Sequence, residues 1–132
     1  MNDNSVLKEL IQEFFPYAKK ELGFSRPVRL FLRTDRENAR NPIGRTAFYN
    51  PDNDSITIYT LNRHPKDVLK SLSHELVHHC QNCRGEFDNC SVQEGYAQSD
   101  PHMRKMEEEA YLRGSMLVRD WEDAKKGEII ND

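Results

Sequence analysis

The sequence predicts an α+β fold: a small three-stranded sheet packed on a central helix, with one helix before it and one after. Three observations predict this. Apolar residues recur at helical spacing in three long segments, near residues 4–20, 66–82 and 101–126. Three short runs rich in β-branched and aromatic residues lie between the first and second of these segments. Clusters of Asn, Asp, Pro and Gly separate the runs, as turns require. At 132 residues the chain is read as one domain, 1–132, long enough for a single core.

The first helix should start at a cap on Asn4 or Ser5 and run to about Lys20, with Gly23 as its stop. Leu7, Leu10, Ile11, Phe14, Phe15 and Ala18 mark its inner face, and Pro16 is expected to kink or split it. Pro27–Leu32 alternates and reads as the first strand. Thr34–Asn41 reads as a polar connection, after which Pro42 and Gly44 punctuate a turn. Arg33, Arg36 and Arg40 could meet a substrate carboxylate there, although such charges are usually solvated. Arg45–Tyr49 and Ser55–Thr60 are the next strands, joined through Asn50-Pro51-Asp52-Asn53-Asp54 as a hairpin. In the third strand Ile56 and Ile58 share one face, with Thr57 and Tyr59 on the other.

The second long helix, from about Lys66 to about Asn82, carries Ser73-His74-Glu75-Leu76-Val77-His78-His79. Residues four apart lie one above the other on a helix, so His74 and His78 can each aim an imidazole nitrogen at one ion. Glu75, beside the first histidine, can serve as a general base on a water. Val68, Leu69, Leu72, Leu76 and Cys80 form the apolar stripe, and the two histidines fall nearly opposite it. They are therefore either solvated or line a cleft closed by another part of the chain. The segment from Asn82 to Gln93 reads as a loop, with a short helical turn over 91–98 holding Glu94 and Tyr96.

Ser99-Asp100-Pro101 offers an N-cap followed by proline in the first turn of the last helix, which should end near Gly127. Met103, Met106, Ala110, Leu117, Trp121 and Ala124 make its inner stripe, and Gly114 on the same stripe would allow close helix approach. A catalytic zinc usually has three protein ligands and one open position. Glu107, Glu108 and Glu109 stand in a row here. At about 100° per residue only Glu107 flanks the inner stripe, while Glu108 and Glu109 point outward. A carboxylate so placed is costly unless it is paired, protonated or bound to metal. Glu107 is therefore the expected third ligand, with Glu94 and His102 as the other candidates and a salt bridge to an arginine as the alternative role for Glu107.

Composition narrows the partners. A net charge of −3 and pI near 6.0 give no basic footprint, so no nucleic-acid partner is expected. Mean hydropathy is −0.87, no apolar run approaches membrane-spanning length, and the charged first ten residues are no signal peptide, which points to the cytoplasm. The three cysteines, Cys80, Cys83 and Cys90, are an odd set and argue against a disulfide framework. They could hold a structural zinc with His79 or His102, but buried or loop thiols are the commoner state.

The element order, the His-Glu-x-x-His helix and the following Glu107-Glu108-Glu109-Ala110 together resemble a minimal zincin of the ImmA/IrrE-type zinc metallopeptidases. That family carries its third ligand in a Glu-x-x-Ala-(Asn/Asp) stretch, and the match again selects Glu107. The chain departs from the pattern at Tyr111, where the family has Asn or Asp, so a hydrogen bond to a histidine ligand from this position must come from a phenol or be lost. The segment from Gly95-Tyr96-Ala97-Gln98 to Trp121-Glu122-Asp123 also resembles small zinc-peptidase-like proteins of tailed phages. The expected activity is zinc-dependent hydrolysis of peptide bonds in a peptide or protein substrate. Zn²⁺ is held by His74, His78 and Glu107, Glu75 is the base, and Tyr96, Tyr111 or His79 are the candidate oxyanion donors. A regulatory protein partner could supply the specificity that so small a chain has little room for. The alternative is a non-catalytic zinc-binding structural or regulatory phage module in which zinc staples two helices, one version of it a structural site on Cys80, Cys83 and Cys90.

Overall fold

Leu7, Ile11, Phe14 and Ala18 form one buried stripe along helix α1 (Asn4–Leu22). The computed structural model describes residues 4–41, 46–87 and 100–130. α1 is helical from Asn4, the first described residue, so the expected cap at Asn4 or Ser5 falls at the edge of the described residues. Pro16 does not split the helix. Pro16 and Gln12, whose carbonyl loses its helical donor, both lie on the exposed face, where water can replace the missing N–H. Gly23 takes a φ of 80° and its N–H donates to the Lys19 carbonyl at 2.9 Å, a left-handed stop that glycine adopts without strain.

The expected strands form, with shifted ends: β1 (Arg29–Arg33), β2 (Ala47–Asn50) and β3 (Ser55–Tyr59). The turn at Pro42 and Gly44 and the start of the second strand at Arg45 lie outside the described residues. The connection after β1 holds an unexpected helical turn, α2 (Arg36–Arg40). Asp35 caps it by accepting from the Asn38 N–H at 3.0 Å. The sheet order is β1-β3-β2, with β1 parallel and β2 antiparallel to β3. Central position explains why β3 is more buried than its alternation implied. Ser55 and Thr57 are covered along with Ile56 and Ile58.

Helix α3 (Pro65–Cys83) lies against this sheet. His64 caps it through Nδ1, which accepts from the Lys66 N–H, and Pro65 occupies the first turn. Val68, Leu72 and Leu76 are fully buried. So are Ser73, Val77, His79 and Gln81, because α3 is enclosed by the sheet, by α1 and by the last helix. That helix, α4 (Pro101–Ile130), is capped by Asp100, whose Oδ1 accepts from the His102 and Met103 N–H groups. It continues past Gly127. Met103, Met106, Ala110, Leu117 and Trp121 face inward as the periodicity requires, but Ala124 is exposed, and Val118 is buried in addition to the expected stripe. The Phe14 and Trp121 rings meet edge to face at 5.4 Å and tie α1 to α4. No helix among the described residues is long and apolar enough to cross a membrane.

Candidate metal centre

Two small residues bring α4 onto α3. Ser73 Oγ donates to the Gly114 carbonyl at 2.8 Å, and Gly114 leaves the space that a side chain would fill. A Cβ there would lie 3.1 Å from both the Cα and the N of His74. Glu107 sits seven residues, two helical turns, before Gly114 and so projects from the same face of α4. The helices run antiparallel, which sets Glu107 opposite the two histidines.

There the three expected ligands converge. His74 Nε2 lies 2.9 Å and His78 Nε2 lies 3.2 Å from Glu107 Oε1. One donor atom from each residue falls within 4.8 Å of the others. A tetrahedral ion at about 2.0–2.1 Å from each donor would hold them about 3.3–3.4 Å apart, within about half an ångström of the two His–Glu107 distances. Two imidazoles and one carboxylate, open on one side to a cavity of about 390 Å³, are a donor set suited to zinc with one position left open. Hydrogen bonds from His74 and His78 hold the Glu107 carboxyl well below the usual carboxylate range. Burial works to lower the His78 pKa, but its hydrogen bond to Glu107 and the nearby Glu75 and Glu107 charges outweigh this and raise it.

Glu75 lines the same cavity. It is 9% exposed, and burial raises its pKa against the opposing pull of His78 and His74. Among the described residues no hydrogen bond ties up this carboxylate, so it is available to take a proton from a molecule in the cavity.

Gln81 was not singled out by the sequence reading, yet it orients His78. Its Nε2 donates to the Met106 carbonyl at 2.9 Å and to Glu109 Oε1 at 2.8 Å. Both partners only accept, so the amide oxygen must face His78. His78 Nδ1 therefore carries a proton and donates to Gln81 Oε1 at 2.8 Å, which leaves Nε2 for the site. Glu109 is held in turn by Arg84 and Arg113. It does not point outward as expected; only Glu108 of the three is exposed. The available signal was spacing, since Gln81 follows His78 by three residues and His74 by seven and shares their face.

The chain matches no known family model, no curated protein and no solved structure. What the centre can do follows from its own residues.

The remaining candidates separate clearly. His79 is fully buried on the far side of α3, where its Nε2 donates to the Arg26 carbonyl at 2.8 Å and its Nδ1 meets the Tyr49 hydroxyl at 2.9 Å. Both ring nitrogens are engaged, so His79 is a core strut and reaches no oxyanion. His102 Nε2 donates to the Glu86 carbonyl and stays outside the ligand set. Tyr111 does not bond a histidine ligand; its ring stacks edge to face on His74 at 4.5 Å and is 68% exposed at the cavity mouth. Glu94, Tyr96 and Cys90 lie outside the described residues. Cys80 is buried, with its thiol donating to the Leu22 carbonyl, and Cys83 is exposed. His74, His78 and Glu107 form the one metal-competent cluster among the described residues. Arg33, Arg36 and Arg40 line neither this cavity nor the groove beside it.

Proposed function

We propose that this chain is a zinc-dependent peptide-bond hydrolase resembling minimal zincins of the ImmA/IrrE type. The observation that carries this reading is the convergence of His74 Nε2, His78 Nε2 and Glu107 Oε1 beside the buried Glu75 carboxylate. His74, His78 and Glu107 would hold the ion. Zinc supplies a Lewis acid that polarises a scissile carbonyl and acidifies water. Glu75 takes the proton of the attacking water and passes it to the leaving amine nitrogen. Gln81 keeps His78 in the tautomer that presents Nε2. The Tyr111 hydroxyl, at the mouth of the same cavity, is the candidate donor to the developing oxyanion.

The substrate is a peptide or a protein segment. Thr46 and Ala47 line the cavity at the start of β2, which is an edge strand of the sheet. An extended peptide can add to such an edge by main-chain hydrogen bonds and lie across the ligands. Composition favours action in the cytoplasm, where a regulatory protein partner could present the substrate.

Glu75→Gln tests the mechanism. The variant should keep its zinc and lose turnover, by a factor of at least about 10². Cleavage at the parent rate would discard Glu75 as the base. Zinc in the parent without cleavage of any peptide would favour a non-catalytic structural or regulatory module.

A further inference from the structure

Two rows of side chains face each other across the α3–α4 seam. On α3, Lys66, Lys70, His74 and His78 recur every four residues; on α4, Glu107, Tyr111, Ser115 and Arg119 do the same. Because the helices are antiparallel, the metal donors meet at one end of the seam. Lys66 meets α4 at the other, with its Nζ 3.3 Å from Glu122 Oε1. The cavity at the donors is about 390 Å³, and a second of about 400 Å³ adjoins it further along. Lys70 and Ser115 line both, so the two are compartments of one groove.

The second compartment has a definite chemistry. Lys66, Lys70 and Arg119 set three cations against the single carboxylate of Glu122, in a chain whose net charge is −3. Lys70 and Arg119 have no ion-pair partner among the described residues. Beside them Leu112 and Met116 are 66% and 43% exposed, an apolar surface next to unpaired cations. A neutral or basic peptide would leave those cations unanswered; an acidic one with an apolar neighbour would satisfy both features.

We propose that this compartment is a specificity subsite for a peptide carboxylate flanked by an apolar side chain. The proposal rests on the hydrolase reading of the adjoining centre. Spacing fixes where the carboxylate falls. Lys70 and Lys66 lie one and two turns from His74, about 6 and 12 Å along α3. An extended peptide advances about 3.3 Å per residue, so the acidic group sits about two to four residues from the scissile bond. It can be an Asp or Glu side chain or the substrate's own C-terminus.

The test is binding of a pooled, N-acetylated octapeptide library to the zinc-loaded, full-length Glu75→Gln chain. Half of the library is amidated at its C-terminus and half carries a free carboxyl. Retained peptides should be enriched in Asp or Glu at one fixed position, and Glu→Gln in a retained peptide should weaken binding about fivefold to tenfold. Retention confined to the free-carboxyl half would assign the chain terminus as the ligand. Joint Lys70→Glu and Arg119→Glu changes should abolish the selection with zinc content unaltered, and the milder Gln pair should weaken it. Retention without acidic selection, selection that survives charge reversal, or no retention at all would overturn the proposal. The parent chain separates the two readings: acid-selective retention with no cleavage removes hydrolysis alone, and cleavage without acidic preference removes the subsite alone.

Discussion

Gly114 lies so close to His74 that a Cβ on it would stand 3.1 Å from the histidine's Cα. In an exposed helix, Gly→Ala adds about 1 kcal/mol of stability. Here the new methyl would meet the backbone of α3, which cannot swing aside as a side-chain tip can. Gly114→Ala should instead lower stability by about 1–3 kcal/mol in urea unfolding, and it should weaken zinc binding by moving Glu107 away from the histidines. A variant as stable as the parent would show that the two helices do not rest on this contact.

The ligand set is checked by elemental analysis of protein purified without added metal or a histidine tag. The parent should carry one zinc per chain. His74→Ala and Glu107→Ala should each lose it or retain much less, because each removes one of three protein donors. Zinc that survives both changes would move the site to the cysteines.

Gln81 joins α4 to His78. Gln81→Leu should reduce zinc affinity about 10- to 100-fold in a chelator competition, the usual cost of losing a group that orients a metal-binding histidine. Gln81→Glu keeps an acceptor for His78 but sets a carboxylate against Glu109 and the Met106 carbonyl. It should also weaken the site, and adding Glu109→Gln should restore much of the loss by returning a donor between the two. Failure of that rescue would remove Glu109 from the relay.

Tyr49 makes the far side of α3 sensitive to alkali. Its hydroxyl meets His79, Asp54 and Asn82, and burial raises its pKa above the ordinary 10.0. A raised pKa means that the folded chain holds the phenol proton more tightly than the unfolded chain. That contribution is complete below pH 10 and is lost as pH rises through the folded value. The Tm should therefore fall steeply above about pH 10. Tyr49→Phe should flatten this fall while lowering neutral-pH stability by about 0.5–1.5 kcal/mol through its lost hydrogen bonds. Parallel curves for the two proteins would assign the alkaline loss to another group.

Local pattern carried much of this molecule. The spacing of Leu7, Ile11, Phe14 and Ala18, and that of Val68, Leu72 and Leu76, marks helices whose inner faces are the buried ones. Asp100-Pro101 marks the start of α4, and projection along α4 separates Glu107 from Glu108. Where the structure departs from these expectations, one cause is a local cap and the others lie in what distant segments do or do not cover. Glu109 turns to Arg84 and Gln81, Ala124 finds nothing to cover it, and Asp35 winds a turn of helix in a segment read as loop.

By itself the sequence determined which residues share a helix face, because the helical and strand periods act over a few residues and need no partner. That is enough to align His74 with His78 and to turn Glu107 inward. Tertiary structure alone decided what those faces meet. It placed β3 between β1 and β2, buried His79 against Tyr49 on the side away from the ligands, stacked Tyr111 on His74 and set Gln81 behind His78. Each of these depends on how segments tens of residues apart fill common space. Packing of that kind is a property of the assembled core, and no single segment's period contains it.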